Sequence, residues 1–292
     1  MAGDTVKAGI LKTDGNKRFQ NGDFVGAESL YSKAIIADDT NPALYTNRAM
    51  ARLKLSLWDS AIADCLACLK LNGESMKAHY YLAQAYLELR AFDDAVSHAS
   101  RAREICATTN DKSLAQVTTL VLRCKKDRWD DAEKRRKRAH RELEEDVLAA
   151  MRREKEDSLA AMTPPTADAG GNSSPATTTM EDVGDRRQVA EEWDAKMEQL
   201  SRVFESARAN DDKRREVPEW AIDDITFAFM VDPVITVSGQ SYERASIMEH
   251  LRRQPTDPLT REPLRPSDLR PNLALRKACE EFLDENGWAV DW

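Results

Sequence analysis

Metal-binding side chains are scarce in this chain. It has four histidines and five cysteines in 292 residues, and residues 217–292 hold one of each, His250 and Cys279. A structural zinc site needs four ligands, so zinc does not staple that segment, and no cofactor is expected. No run of about 18 apolar residues occurs, which excludes a transmembrane helix. Residues 1–12 lack the apolar core of a secretory signal. The expectation is a protein of the cytosol or nucleus with no membrane partner. An odd cysteine count fits reduced thiols there. Positive charge is in deficit, at 43 Lys and Arg against 51 Asp and Glu, a net charge of −8. That balance argues against a general nucleic-acid binder. The basic run Lys134-Arg135-Arg136-Lys137-Arg138 has acidic flanks and reads as a solvated helix face rather than a nucleic-acid patch. Cys65 and Cys68 form a lone CxxC inside a helical pattern, which suits packing better than metal binding.

What is present is a period. Gly15, Ala49 and Ala83 lie 34 residues apart, as do Phe24, Trp58 and Phe92, then Ala27, Ala61 and Ala95, then Ala34, Cys68 and Ala102. Thirty-four residues is the tetratricopeptide (TPR) period, with one helix pair per unit. Small residues sit where two helices cross closely. Asn41-Pro42 falls between units one and two, where proline can start a helix but not continue one. Three units stacked into a superhelix have a concave side, and a further helix over 113–126 caps the open end.

The first helices of the units carry the polar signal. Lys12 and Asn16 share a face at i,i+4. Asn47 and Lys54 share the next at i,i+7, and Lys77 precedes Tyr80 and Tyr81 by one turn. Three lysines and two asparagines therefore converge on one groove. Such a groove suits a doubly negative peptide end, the side chain and terminal carboxylate of a C-terminal Asp. This set resembles the dicarboxylate clamp of co-chaperone TPR domains, which bind the C-terminal Glu-Glu-Val-Asp of heat-shock chaperones of the 70- and 90-kDa classes. The resemblance implies that Lys12, Asn16, Asn47, Lys54 and Lys77 hold the carboxylates. It implies that Phe19, Leu44, Tyr80 and Tyr81 meet the apolar part of the peptide. The capping stretch diverges from that family, and no clamp residue is assigned to it.

From 125 to 161 the chain is dense in charge and free of Gly and Pro, which predicts a long helix. Residues 163–184 have the composition of a disordered linker. A second helix is expected over 185–215, with Val189, Trp193, Met197, Leu200 and Phe204 as one apolar stripe. Together they suggest a helical hairpin that pairs with a second copy of the chain, a homodimer.

Residues 217–292 change character, with seven prolines. Val234 to Val237 and Ser241-Tyr242, around Gly239, predict a β-hairpin. Helices are expected over 243–253 and 273–286. Four stretches here resemble a U-box, a RING-like fold whose loops are held by salt bridges and hydrogen bonds instead of zinc. They are Ile225-Thr226-Phe227 with Met230 to Val234, then Ser238 to Arg244, Asp257 to Leu264, and Pro271 to Leu275. That resemblance implies binding of a ubiquitin-conjugating enzyme charged with ubiquitin. Ile225, Phe227 and Pro258 would form the apolar groove, and Arg261 would bridge enzyme and ubiquitin to fix the thioester. Catalysis would be by positioning, with no nucleophile on this chain.

TPR clamp, helical spacer and U-box in this order resemble the CHIP family, as does the ending Glu285-Asn286-Gly287-Trp288. The fold expected is mainly α: a TPR superhelix (1–126), a helical-hairpin spacer (127–216) and a small α+β U-box (217–292). The activity implied is that of an E3 ubiquitin ligase acting on misfolded clients held by a chaperone. The competing reading is a chaperone adaptor with a degenerate U-box.

Overall fold

A computed structural model of the chain describes residues 4–109, 111–162, 180–211 and 216–291. Three helix pairs come first: α1 (Thr5–Gln20) with α2 (Phe24–Ala37), α3 (Pro42–Lys54) with α4 (Trp58–Leu71), and α5 (Met76–Glu88) with α6 (Phe92–Thr109). Their starts are written in the sequence. Asp4, Asp23, Asn41 and Ser75 each accept a hydrogen bond from a first-turn amide, and Pro42 opens α3, where it removes no helical bond. The periodic small residues are the crossing points. Ala27, Ala61 and Ala95 are fully buried, as are Ala49 and Ala83. At Gly15 an added Cβ would stand 2.6 Å from the Tyr31 ring.

The cap and the first spacer helix are one element, α7 (Leu114–Ala161, 48 residues). The expected break near residue 126 is absent, because nothing between Lys125 and Ala132 interrupts the helical pattern. The second spacer helix, α8 (Met180–Asp211), begins five residues before the expected 185. The linker expected at 163–184 otherwise lies outside the described residues, as do 212–215.

The last segment has a three-stranded antiparallel sheet of order β2-β1-β3, from β1 (Pro233–Ile235), β2 (Ser241–Glu243) and β3 (Arg270–Pro271). Val234 pairs with Tyr242 on one side and Pro271 on the other. Helix α9 (Arg244–Arg253) and helix α10 (Leu273–Glu285) flank it. Val234, Tyr242, Ile247, Leu251 and Leu264 form its core.

By contact density the chain divides into two units: residues 1–131 together with 217–292, and residues 132–216. Within the first unit the C-terminal segment packs onto the repeats. Val231 joins the cluster of Ala95, Ala99, Leu120 and Cys124. Trp129 Nε1 donates to the Glu285 carbonyl at 3.0 Å, Arg128 pairs with Asp284 at 2.6 Å, and Lys126 pairs with Asp291. Gly287 lies so close to Trp129 that a Cβ there would overlap it. The second unit is an α7–α8 hairpin with Lys155 paired to Asp194 and Arg208 to Glu144. None of its described side chains is fully buried.

Candidate functional site

The superhelix carries a groove of about 360 Å³ walled by α3, α5 and α7. Lys54, Tyr80 and Tyr81 line it, with Met50, Leu53 and Leu120 as apolar surface. Gln84, Gln116 and Arg123 also line it, and none of the three was singled out from sequence. Gln116, Leu120 and Arg123 are spaced i, i+4, i+7 on α7, the signal that could have found them. Tyr80 accepts from Gln116 Nε2 at 3.0 Å. Burial pushes the Tyr81 phenol up to about 12, so it stays a neutral O–H, donating to Met50 Sδ at 3.1 Å.

Asn16 and Asn47 meet as their face sharing requires. Asn16 Oδ1 accepts from Asn47 Nδ2 at 3.2 Å and from the Tyr31 hydroxyl at 2.9 Å. That arrangement turns the Asn16 Nδ2 donor away from both partners. Among the described residues, Lys12, Lys54 and Lys77 take part in no ion pair, although their neighbours Lys17 and Arg48 do. Lys12, Asn16, Asn47, Lys77 and Phe19 are not on the cavity wall. Phe19 packs against Ala27, Tyr31 and Ala51 and meets Phe24 edge-on at 5.1 Å.

Leu44 corrects the sequence reading. It is fully buried with Ala8 and Ala34, so it is core and offers a peptide no surface. It stands three residues before Asn47, which on a helix is about 60° round the barrel. That turns it inward toward α1 and α2.

The second site is built from two loops with one design. In loop one, buried Asp223 accepts from Thr226 N (3.0 Å) and Oγ1 (2.7 Å) through Oδ2, and its carbonyl accepts from Phe227 N at 2.8 Å. In loop two, buried Asp257 accepts from Leu259 N (2.8 Å) and Thr260 N (3.2 Å) through Oδ1, and its carbonyl accepts from Arg261 N at 2.9 Å. Each loop is closed at its base by one bridge, Ile222 with Phe229 and Thr256 with Pro263. Each leaves its fifth residue left-handed, Phe227 at φ 56° and Arg261 at φ 63°. The shared pattern Asp-x-x-Thr was legible in sequence but was not read there.

The β1–β2 turn ties the loops together. Ser238 Oγ donates to Asp257 Oδ2 at 2.8 Å, and Gln240 Nε2 donates to Asp224 Oδ2 at 2.5 Å. Burial would raise the Asp257 carboxyl, but the bonds from Ser238, Leu259 and Thr260 outweigh it and hold it below the usual range. At the surface this leaves Phe227 72 % exposed and Leu259 69 % exposed. Pro258 is half-buried and Arg261 exposed. Ile225 is half-buried and leans on the β-sheet core. Leu259 was not anticipated.

Behind the loops sits a buried charge cluster. Asp232 is paired with Arg103 (3.0 Å), Arg244 (2.8 Å) and Arg276. Burial would raise its carboxyl, yet these arginines hold it below the usual range. Glu243 Oε2 accepts from the Val231 and Asp232 amides at 2.7 and 2.8 Å, and burial raises its carboxyl. No grouping of His, Cys, Asp and Glu among the described residues could hold a metal ion. All five cysteines are buried, and burial pushes the Cys279 thiol up to about 12. No thiol here is poised as a nucleophile.

A U-box domain family model matches residues 217–288, and a tetratricopeptide repeat model matches residues 46–108. The E3 ubiquitin-protein ligase CHIP of Arabidopsis thaliana is 33% identical over 282 residues, covering 96% of this chain and 94% of that protein. The DnaJ homolog subfamily C member 7 of Homo sapiens is 34% identical over 116 residues, 38% of this chain and 24% of its own length. Among solved structures, the first TPR of Spaghetti (RPAP3) bound to HSP90 peptide SRMEEVD aligns with TM-score 0.37 at 31% identity. It covers 40% of this chain and 95% of its own.

Proposed function

The chain belongs to the CHIP family of U-box E3 ubiquitin-protein ligases, and from that premise we propose how its parts divide the work. The TPR groove binds the C-terminal Glu-Glu-Val-Asp of heat-shock chaperones of the 70- and 90-kDa classes. The U-box receives a charged ubiquitin-conjugating enzyme on Phe227, Leu259, Pro258 and Ile225. Arg261, raised on its Asp257-pinned turn, contacts enzyme and ubiquitin and fixes the thioester for attack by a lysine of the chaperone-bound client. Rate enhancement comes from holding thioester and lysine together, since all five cysteine thiols are buried. The protein works in the cytosol or the nucleus.

The observation that carries the peptide reading is the lysine set. Lys12, Lys54 and Lys77 are distributed over the first helices of the three repeats, Lys54 on the groove wall, and make no ion pair among the described residues, although Lys77 acts electrostatically on Asp111. Charge-assisted bonds contribute roughly 1.5–3 kcal/mol each. Two or three, less ordering terms, give binding on the order of micromolar. A fluorescence titration compares a Glu-Glu-Val-Asp peptide with its C-terminally amidated form. The amide is expected to bind about tenfold weaker or worse, and equal affinity removes the clamp. Ubiquitylation of a chaperone in vitro, abolished in a Phe227→Ala, Pro258→Ala double variant, tests the other half. Retained activity there removes the groove assignment, and a wild-type chain that makes no product leaves the adaptor reading.

The hairpin mediates a homodimer as a coiled coil. Its stripe of Val189, Trp193, Met197, Leu200 and Phe204 stays half-buried, and Leu143 is 54 % exposed, an apolar surface that a second copy would cover. Sedimentation should give twice the chain mass. A monomer at micromolar concentration ends this reading.

A further inference from the structure

Arg103 belongs to the third TPR repeat, but its partner belongs to the U-box. It sits on α6, 6% exposed, with its guanidinium 3.0 Å from Asp232 Oδ2. Around it the two modules share an apolar contact. Ala102, Cys106 and Val117 pack with Ala245, and Ala99 lies in one cluster with Val231. Arg103 is therefore held between the two modules, away from bulk water.

Asp232 is the first link of a buried chain of bonds. Its amide and that of Val231 donate to Glu243 Oε2. The Glu243 amide donates to Asp223 Oδ1 at 2.9 Å. Asp223 then holds Thr226 through Oδ2 and Phe227 N through its carbonyl. The carboxylates along the way are all buried, at 2% for Asp232, 6% for Glu243 and 0% for Asp223. The chain ends at Phe227, which is left-handed and exposed. Buried polar networks act as units, and a change at one member is felt by the rest.

We propose that Arg103 is a positioning residue for the ligase reaction: from the TPR domain it fixes the Asp232–Glu243–Asp223 network that sets the Phe227 loop for the conjugating enzyme. The U-box is then complete only when docked on the repeats. Arg103 touches neither the peptide groove nor the conjugating enzyme. The plain competitor is that Arg103 only glues the modules together. Lys126 separates the two, because its pair with Asp291 also joins the modules but lies off this network.

The test uses the full chain and the discharge of ubiquitin from a conjugating enzyme to free lysine. Arg103→Met is expected to raise KM for the charged conjugating enzyme about tenfold while kcat moves about twofold or less. Amide exchange at Val231, Thr226 and Phe227 should quicken, since their acceptors are the network's own atoms. Lys126→Ala should leave KM and those amides at wild-type values, and affinity for a Glu-Glu-Val-Asp peptide should be unchanged in both. A wild-type KM with wild-type exchange in Arg103→Met overturns the proposal, and so does an equal rise in Lys126→Ala. Should Arg103→Met melt the U-box, the same readings are taken on Arg103→Lys, which keeps the charge but not the fork. Wild-type KM and exchange in that variant also overturn it. The proposal rests on the reading that Phe227 meets the conjugating enzyme. A wild-type chain that discharges no ubiquitin defeats that reading, whereas an active wild type matched by Arg103→Met defeats this one alone.

Discussion

Asp257 holds loop two by three bonds from Leu259 N, Thr260 N and Ser238 Oγ. Hydrogen bonds to a charged group contribute about 1.5–3 kcal/mol each. Their plain sum overstates the loss in Asp257→Ala, because Leu259 and Thr260 are exposed and their amides regain water. The Ser238 bond and the burial of the carboxylate remain as the net loss, about 2–4 kcal/mol in all. Arg261 adds to it. A left-handed non-glycine residue costs about 1–2 kcal/mol and stays at φ 63° only while the turn is pinned. Loop two should therefore relax, and ubiquitin discharge should fall about a hundredfold, with peptide affinity untouched. Asp257→Asn keeps an acceptor at Oδ1 and loses the charge, so it should fall between. Urea unfolding followed by amide exchange in residues 256–263 reads the stability, and single-turnover discharge reads the activity. Unfolding within about 0.5 kcal/mol of wild type together with undiminished discharge in Asp257→Ala would refute the pinned-loop reasoning.

Gly15→Ala gains about 1 kcal/mol of helix propensity but drives a Cβ into the buried Tyr31 ring, at about 1–3 kcal/mol. The net expectation is about 1 kcal/mol of destabilisation in thermal unfolding, with weaker peptide binding because Tyr31 orients Asn16. Gly287→Ala forces the C-terminal turn off Trp129, and the loss should be about 2 kcal/mol by calorimetry. The pH dependence follows from Asp232 and Asp257, both held below the usual carboxylate range. Their stabilisation is full above the unfolded value of about 3.9 and is lost as pH falls through their lower folded values. Arg103→Met, by removing one cause of the Asp232 shift, should move the acid transition to higher pH in a circular-dichroism titration.

The repeats were legible because helix crossings accept only small side chains, and a period written in Gly and Ala survives in one sequence. The expectation that polar bonds hold residues 217–292 came from counting their one histidine and one cysteine. The loops were legible as a resemblance, while their common Asp-x-x-Thr construction needed coordinates, since the same residues serve in ordinary turns. Leu44 was misassigned because a helical wheel gives angles without saying which neighbour fills the space beside them. The continuity of α7 was missed because nothing in its sequence marks where packing against the repeats ends. The docking of the last segment onto α6 and α7 was illegible for a deeper reason. It rests on residues more than 100 positions apart, such as Arg103 with Asp232 or Trp129 with Glu285, and no local pattern encodes such a pair.

The cluster around Asp232 is not there for stability alone. Burying ion pairs is often neutral or unfavourable against an apolar core of equal volume. This one also leaves Arg103 Nε, Arg276 Nε and Glu243 Oε1 without partners, at about 1–3 kcal/mol each. An apolar filling would be cheaper but could not orient backbone amides. Loop one needs its backbone held at Val231, Asp232, Thr226 and Phe227 in one conformation, and only acceptors placed at fixed points do that. A zinc ion would supply the fixed points from within the module. In its absence the acceptors must themselves be fixed, and Asp232 is fixed by three arginines, one of them lent by the TPR domain. A U-box stapled this way depends on its neighbour in a manner that a zinc-stapled module does not. Removing the TPR domain from this chain should therefore slow ubiquitin discharge even with a substrate that needs no chaperone. An isolated segment 217–292 that discharges at the full-length rate would contradict that dependence.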